Sequence, residues 1–223
     1  MGQMLTLTAA DGFTLGAYRA DPTGTPKGAL VVVQEIFGVN SHIRNVTDNF
    51  AELGYVAIAP AIFDRASPGI DVGYDQAGMD VGLKARAAIP VDQTLLDLQA
   101  AIDAVKAIGM VGIVGYCWGG TLAYLAAGKL AGLSAAVGYY GGQIASSFLE
   151  VEPKIPTMLH FGETDHGIPL TEVQKIIDRY EEMPIHVYQA GHGFNCDQRG
   201  SYDRPSAELA LTRTLEFFHQ NLA

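Results

Sequence analysis

Between Ala107 and Gly128 the chain carries no charged side chain, a run long enough to cross a bilayer. Its glycines exclude that reading. Gly109, Gly112, Gly115, Gly119 and Gly120 interrupt it where a membrane helix would want bulk. The pattern fits instead a strand, Met110 to Val114, buried on both faces and turning sharply into a helix. A strand hidden on both faces belongs to a parallel sheet covered by helices, so this one segment restricts the fold class strongly.

The rest of the chain alternates in the same sense. Ala29 to Val33 and Tyr55 to Ala59 are short apolar runs, and between them Ile43, Val46, Phe50 and Leu53 recur at helical spacing until Gly54. That is one βαβ unit. Leu95, Leu98, Ile102 and Val105 mark a second helix, read as capped by Asp92 and ending near Gly109. Strands follow at Ser134 to Tyr140, Thr157 to Phe161 and Ile185 to Tyr188. A helix carrying Val173, Ile176, Ile177 and Tyr180 lies between the last two, and Leu211, Leu215, Phe218 and Leu222 mark a final helix. The expectation is an α/β fold with a mostly parallel central sheet and helices on both faces, with antiparallel edge strands added by Leu5 to Arg19. With 48% hydrophobic and 17% charged residues, the 223-residue chain can bury a core of that size as a single domain, 1–223. Residues 64–90 show no convincing periodicity and read as an excursion able to cover a pocket.

Charge and cysteine content narrow the partners. The formal net charge is -10 and no cluster of Lys and Arg tracks a phosphate backbone, so nucleic acid is not expected. Two cysteines, Cys117 and Cys196, are too few for a disulfide scaffold and suit a reducing compartment. The first residues lack a basic leader followed by an apolar core, which makes the cytoplasm the expected location and a membrane an unexpected partner. Met1 to Thr6 matches the spacing of a myristoylation site, but Leu5 and Leu7 alternate with polar residues as an edge strand does. We read a strand.

In open parallel sheets ligands bind beyond the carboxyl ends of the strands. Gly115-Tyr116-Cys117-Trp118-Gly119-Gly120 has the form of a nucleophile elbow with cysteine at the usual serine position. The flanking glycines let strand and helix pack around a strained turn, and the thiol then sits at a helix N-terminus, whose dipole favours thiolate. A buried structural cysteine at a tight turn is the plainer alternative. This fold expects an acid and then a histidine, each at a later strand end. Asp165 follows Thr157 to Phe161, and His192, between Gly191 and Gly193, follows the strand ending at Tyr188. Taken singly, Asp165 is equally a turn residue and His192 a solvated loop residue. Together with Cys117 they make a triad in which His192 serves as general base and acid while Asp165 fixes its tautomer. The loop Gln34 to Gly38 leaves another strand end; an oxyanion hole uses the backbone N–H of Trp118 and one from this loop, assigned to Ile36. Glu35 in the same loop reads structurally as an ion-pair partner at the end of a buried strand.

Gln34-Glu35-Ile36-Phe37-Gly38-Val39-Asn40, the Gly115 to Gly120 elbow, Val137-Gly138-Tyr139-Tyr140-Gly141 and Gly191-His192-Gly193-Phe194 resemble the dienelactone hydrolase family over nearly the whole chain. The resemblance implies an α/β-hydrolase fold and a Cys-His-Asp triad of Cys117, His192 and Asp165. It also implies a glutamate, here Glu35, that contacts the resting thiol and helps ionise it when substrate arrives. No metal and no organic cofactor are implied, and the family reaction opens a dienelactone to a keto-diacid. The chain departs from the family at one place. Familiar members hold the substrate carboxylate with two arginines, one of them four residues beyond the histidine, and here that position is Cys196. Arg199 is the nearby substitute, and the region before the second helix offers Arg65, Lys84 and Arg86, of which Arg86 is taken as the second substrate-binding candidate. The remaining histidines show no metal-ligand spacing.

The expected function is hydrolysis of a lactone or activated enol ester through a cysteinyl acyl intermediate, with a small-molecule substrate and a monomer as default. Thiolate leaves a tetrahedral carbon more readily than alkoxide or amine, so the substrate needs a good leaving group. The rival is a thiol redox or peroxide-sensing protein in which Cys117 becomes a sulfenic acid and Cys196 resolves it. It lacks a C-x-x-C motif.

Overall fold

In a computed structural model that describes residues 2–222, eight strands form one sheet. They are β1 (Gln3–Thr8), β2 (Thr14–Ala20), β3 (Ala29–Val33), β4 (Val56–Pro60), β5 (Val111–Tyr116), β6 (Ala135–Tyr139), β7 (Thr157–Gly162) and β8 (Ile185–Tyr188). Their order is β1-β2-β4-β3-β5-β6-β7-β8. All neighbours from β4 onward pair in parallel, while β1 and β2 add an antiparallel edge. The chain leaves β3 toward β4 on one side and later returns to β5 on the other. The ends of β3 and β5 therefore border the topological switch point, where open α/β sheets bind their ligands.

The helices are α1 (Ser41–Glu52), α2 (Gln76–Ala88), α3 (Val91–Val105), α4 (Trp118–Lys129), the short α5 (Ile144–Ser147), α6 (Leu170–Arg179) and α7 (Arg204–Asn221). Strand alternation sorts them into two layers. Leu30 and Val32 of β3 pack with Ile43 and Phe50 of α1, Ile176 of α6 and Phe218 of α7. Ala29, Val31 and Val33 face the other way, toward Ala85 of α2, Leu98 and Ile102 of α3 and Leu122 of α4. The uncharged 107–128 segment is divided between β5 and α4, and among the described residues no helix is long and apolar enough to cross a membrane.

Two expectations need correction. Residues 64–90 are not without regular structure: a 3-10 turn (Ile62–Arg65) and the thirteen residues of α2 lie in or across that span. Only Gly78, Gly82 and Ala85 of α2 are buried, so its packing face consists of small residues and leaves no apolar stripe to read. Gly82 has a steric reason. A Cβ there would collide with the Ile36 carbonyl, so glycine lets α2 press directly on the loop after β3. Asp92 does not cap α3; Pro90 holds that position and Asp92 lies in the first turn, where its charge complements the helix dipole.

Candidate active site

Cys117 joins β5 to α4 with φ 56° and ψ -117°, a region side chains seldom occupy. The turn is locked from both sides. The Cys117 N–H donates to the Tyr139 carbonyl at 3.0 Å, and its own carbonyl accepts from Gly120 at 3.0 Å. Trp118, as the first residue of α4, has no intrahelical acceptor for its N–H.

Asp165 follows β7 in a turn that it organises itself. Its Oδ1 accepts from the Gly167 N–H at 2.8 Å and the Ile168 N–H at 3.1 Å, which leaves Oδ2 to meet His192 Nδ1 at 2.7 Å. The turn role and the site role coincide in one carboxylate. His192 Nε2 then lies 3.2 Å from Cys117 Sγ. Burial works against a charged His192, but the hydrogen bonds with Asp165 and Cys117 outweigh it and push the imidazole up to about 10. Burial likewise works against a charged Asp165, yet the hydrogen bonds from His192, Gly167 and Ile168 hold its carboxyl below the usual range. Both ring nitrogens are thereby engaged, Nδ1 by the carboxylate and Nε2 by the thiol.

The three residues open into a cavity of about 470 Å³ that is also lined by Trp118, Arg86 and Arg199. Of the basic residues before α3, only Arg86 lines it. Arg65 is tied down elsewhere, with Nε 2.7 Å from Asp97 and Nη1 2.9 Å from Asp11. Arg199 reaches inward over Gly193, where a Cβ would displace its guanidinium. Two buried hydroxyls, Tyr140 OH and Ser201 Oγ, have no hydrogen-bond partner among the described residues, and Ser201 lines the cavity.

Glu35 is fully buried after β3, and its charge is met twice: Arg199 Nη1 donates to Oε1 at 3.2 Å and the Tyr74 hydroxyl donates to Oε2 at 3.0 Å. The expected resting contact with the thiol is thus not what the carboxylate makes here; among the described residues its hydrogen bonds go to Arg199 and Tyr74. A fully buried carboxylate takes the strongest donors in reach, a guanidinium and a phenol. Tyr74 carries no signal in the sequence because it lies 39 residues from Glu35 in a stretch without periodicity.

Cys196 is buried beside this group. Burial, reinforced by the Glu35 charge, pushes its thiol up to about 11. A resolving cysteine must reach the oxidised sulfur as a thiolate, and burial opposes that form at Cys196. Ligand-capable atoms of Cys196, Glu35 and His42 all lie within 4.8 Å of one another, a grouping hidden in sequence because α1 and the loop before α7 supply two of its members.

A switch-point cavity containing a cysteine elbow, a paired acid and histidine, and two arginines is the arrangement of an α/β hydrolase acting on esters or lactones. The chain belongs to the dienelactone hydrolase family, whose sequence pattern it matches over residues 15–222. It is 34% identical over 223 residues to a carboxymethylenebutenolidase of Pseudomonas putida, spanning 96% of this chain and 94% of that one. Carboxymethylenebutenolidase 1 of Cupriavidus pinatubonensis is 30% identical over 222 residues, spanning 94% and 93% of the two chains. A solved Klebsiella pneumoniae structure described as a putative dienelactone hydrolase matches with a TM-score of 0.82 at 27% identity, covering 98% of this chain and 99% of the other.

Proposed function

We propose that this hydrolase opens an anionic lactone or enol ester by transferring its acyl group to Cys117. The observation that carries the reading is the continuous Asp165–His192–Cys117 contact, 2.7 Å then 3.2 Å, at the edge of the cavity. Cys117 sulfur attacks the carbonyl carbon, and the backbone N–H groups of Ile36 and Trp118 stabilise the resulting oxyanion. Collapse breaks the ring C–O bond, and His192 gives its proton to the departing enolate or alkoxide. His192 next takes a proton from water, whose oxygen attacks the thioester. The second collapse releases the carboxylate and returns the proton to the Cys117–His192 pair. Arg86 and Arg199 line the cavity and supply positive charge there, which favours a substrate carrying its own carboxylate, as the names of the Pseudomonas and Cupriavidus relatives suggest.

The test uses a panel of lactones and enol esters with and without a carboxylate, before and after alkylation of the accessible thiol. Mass spectrometry should place the alkyl group on Cys117 rather than on buried Cys196, and turnover should vanish in proportion. Unchanged turnover after complete alkylation of Cys117 would overturn the acyl-transfer reading.

Glu35 acts in this scheme through its pairing with Arg199. An incoming substrate carboxylate competes for that guanidinium, and the freed Glu35 carboxylate then turns toward Cys117 and takes its proton as the electrophile arrives; that proton leaves to solvent when the product departs and Glu35 pairs with Arg199 again. Glu35→Gln should lower kcat by at least about 100-fold, the lower end of an acid–base contribution, with KM changed far less. Full kcat together with a lowered Tm would leave Glu35 as an ion-pair partner only.

A further inference from the structure

We propose that Glu35, His42 and Cys196 form a binding site for a transition-metal dication, with Zn²⁺ as the best match to the donors. The existence of the site does not depend on the hydrolytic reading. One atom from each residue lies within 4.8 Å of the other two, and all three residues are buried. Thiolate, imidazole and carboxylate together are a borderline-soft set of the kind Zn²⁺ takes, whereas Mg²⁺ and Ca²⁺ prefer oxygen alone.

The second observation is independent of that clustering. His42 is 3% exposed, and its Nε2 has no hydrogen-bond partner among the described residues. A buried imidazole nitrogen left unpaired costs free energy, so the orphan asks for a ligand. Its other nitrogen, Nδ1, lies 3.2 Å from Asp197 Oδ1. A carboxylate on one ring nitrogen orients the ring and raises the basicity of the other, which is the usual support behind a metal-bound histidine.

The neighbouring groups fit the same reading. Arg199 holds Glu35 Oε1, so the metal takes the side of Oε2, where the Tyr74 hydroxyl now lies 3.0 Å away and also borders Cys196. Bond lengths of about 2.0–2.3 Å on a tetrahedral ion put donor atoms roughly 3–4 Å apart, so the three side chains need only close inward by about 1 Å. A separate cavity of about 200 Å³ lies between α1 and the segment leading into α7, and both His42 and Asp197 line it. On binding, the Cys196 thiol proton passes to solvent as the metal–sulfur bond forms. Occupancy holds the Glu35 carboxylate away from Cys117 and so slows turnover; that consequence alone rests on the role proposed for Glu35.

The test is titration of chelator-treated protein with Co²⁺, followed by displacement with Zn²⁺. One Co²⁺ per chain should bind with a thiolate-to-metal charge-transfer band in the near ultraviolet. Cys117→Ala should keep the band and Cys196→Ala should lose it. His42→Gln and Asp197→Asn should each weaken Co²⁺ binding by roughly 10- to 100-fold. Asp197 is 62% exposed in its side chain, so Asp197→Asn folds normally and decides the matter if a core variant does not. A wild-type titration without a saturable band overturns the site. So does a band that disappears in Cys117→Ala, because the metal would then sit on the Cys117–His192 pair. A failed acyl-transfer reading would leave every arm of this titration unchanged, which keeps the two outcomes apart.

Discussion

Cys117→Ala is expected to lower kcat/KM toward an activated ester or lactone by at least ~10⁴-fold, the scale on which removal of a nucleophile acts when its partners can no longer work as a unit. The fold should survive, because alanine is smaller and meets the same backbone demand at φ 56° as cysteine does. Cys117→Ser should also lose most of the activity. A hydroxyl holds its proton far more tightly than a thiol, so serine yields far less of the nucleophilic anion to the same imidazole. Steady-state kinetics together with a thermal melt checks both variants. Wild-type kcat/KM in a well-folded Cys117→Ala protein would remove the cysteine from the mechanism.

Gly119→Ala should cause a large loss of stability. The built Cβ would overlap the carbonyl oxygens of both Val33 and Gln34, so the first turn of α4 rests directly on the end of β3. Neither backbone can give way cheaply: β3 is buried along its whole length and bonded to β4 and β5, and α4 is buried through almost all of its residues. Overpacking against backbone on both sides belongs at the upper end of the usual range, about 3 kcal/mol, which for a chain of this size lowers Tm by roughly 6–12 °C. Activity per folded molecule should fall as well, since the displaced atoms lead into the loop carrying Glu35 and Ile36. Gly24→Ala is the control, because that exposed glycine has nothing within 4 Å of the built Cβ and should change stability by less than about 0.5 kcal/mol. Equal melting temperatures for the two variants would refute the close approach of α4 to β3.

Much of this architecture was present in local pattern. The bounds of β3 and β8 coincide with those read from their apolar runs, and the glycine spacing around Cys117 marked the turn that the backbone makes. Asp165 and His192 were legible by their order and by their place after strands. The helix α2 was not, because its buried face is made of Gly78, Gly82 and Ala85, which leave no hydrophobic period. The signal that could have found it is Asp75, whose side chain accepts from the Gly78 N–H as a helix N-cap.

Sequence alone determined the strand–helix alternation, the parallel sheet and the cysteine elbow, because side-chain periodicity and glycine sterics act over a few residues and need no distant partner. Tertiary structure decided what surrounds the elbow. Glu35 and Arg199 are 164 residues apart yet share an ion pair, Arg86 rather than Arg65 reaches the cavity, and Cys196 lies with Glu35 and His42 rather than among the residues that line the cavity. Such meetings follow from the order in which strands join the sheet and from where each loop then has room to turn. A buried charge pairs with whichever donor that geometry brings within reach, whatever its distance along the chain.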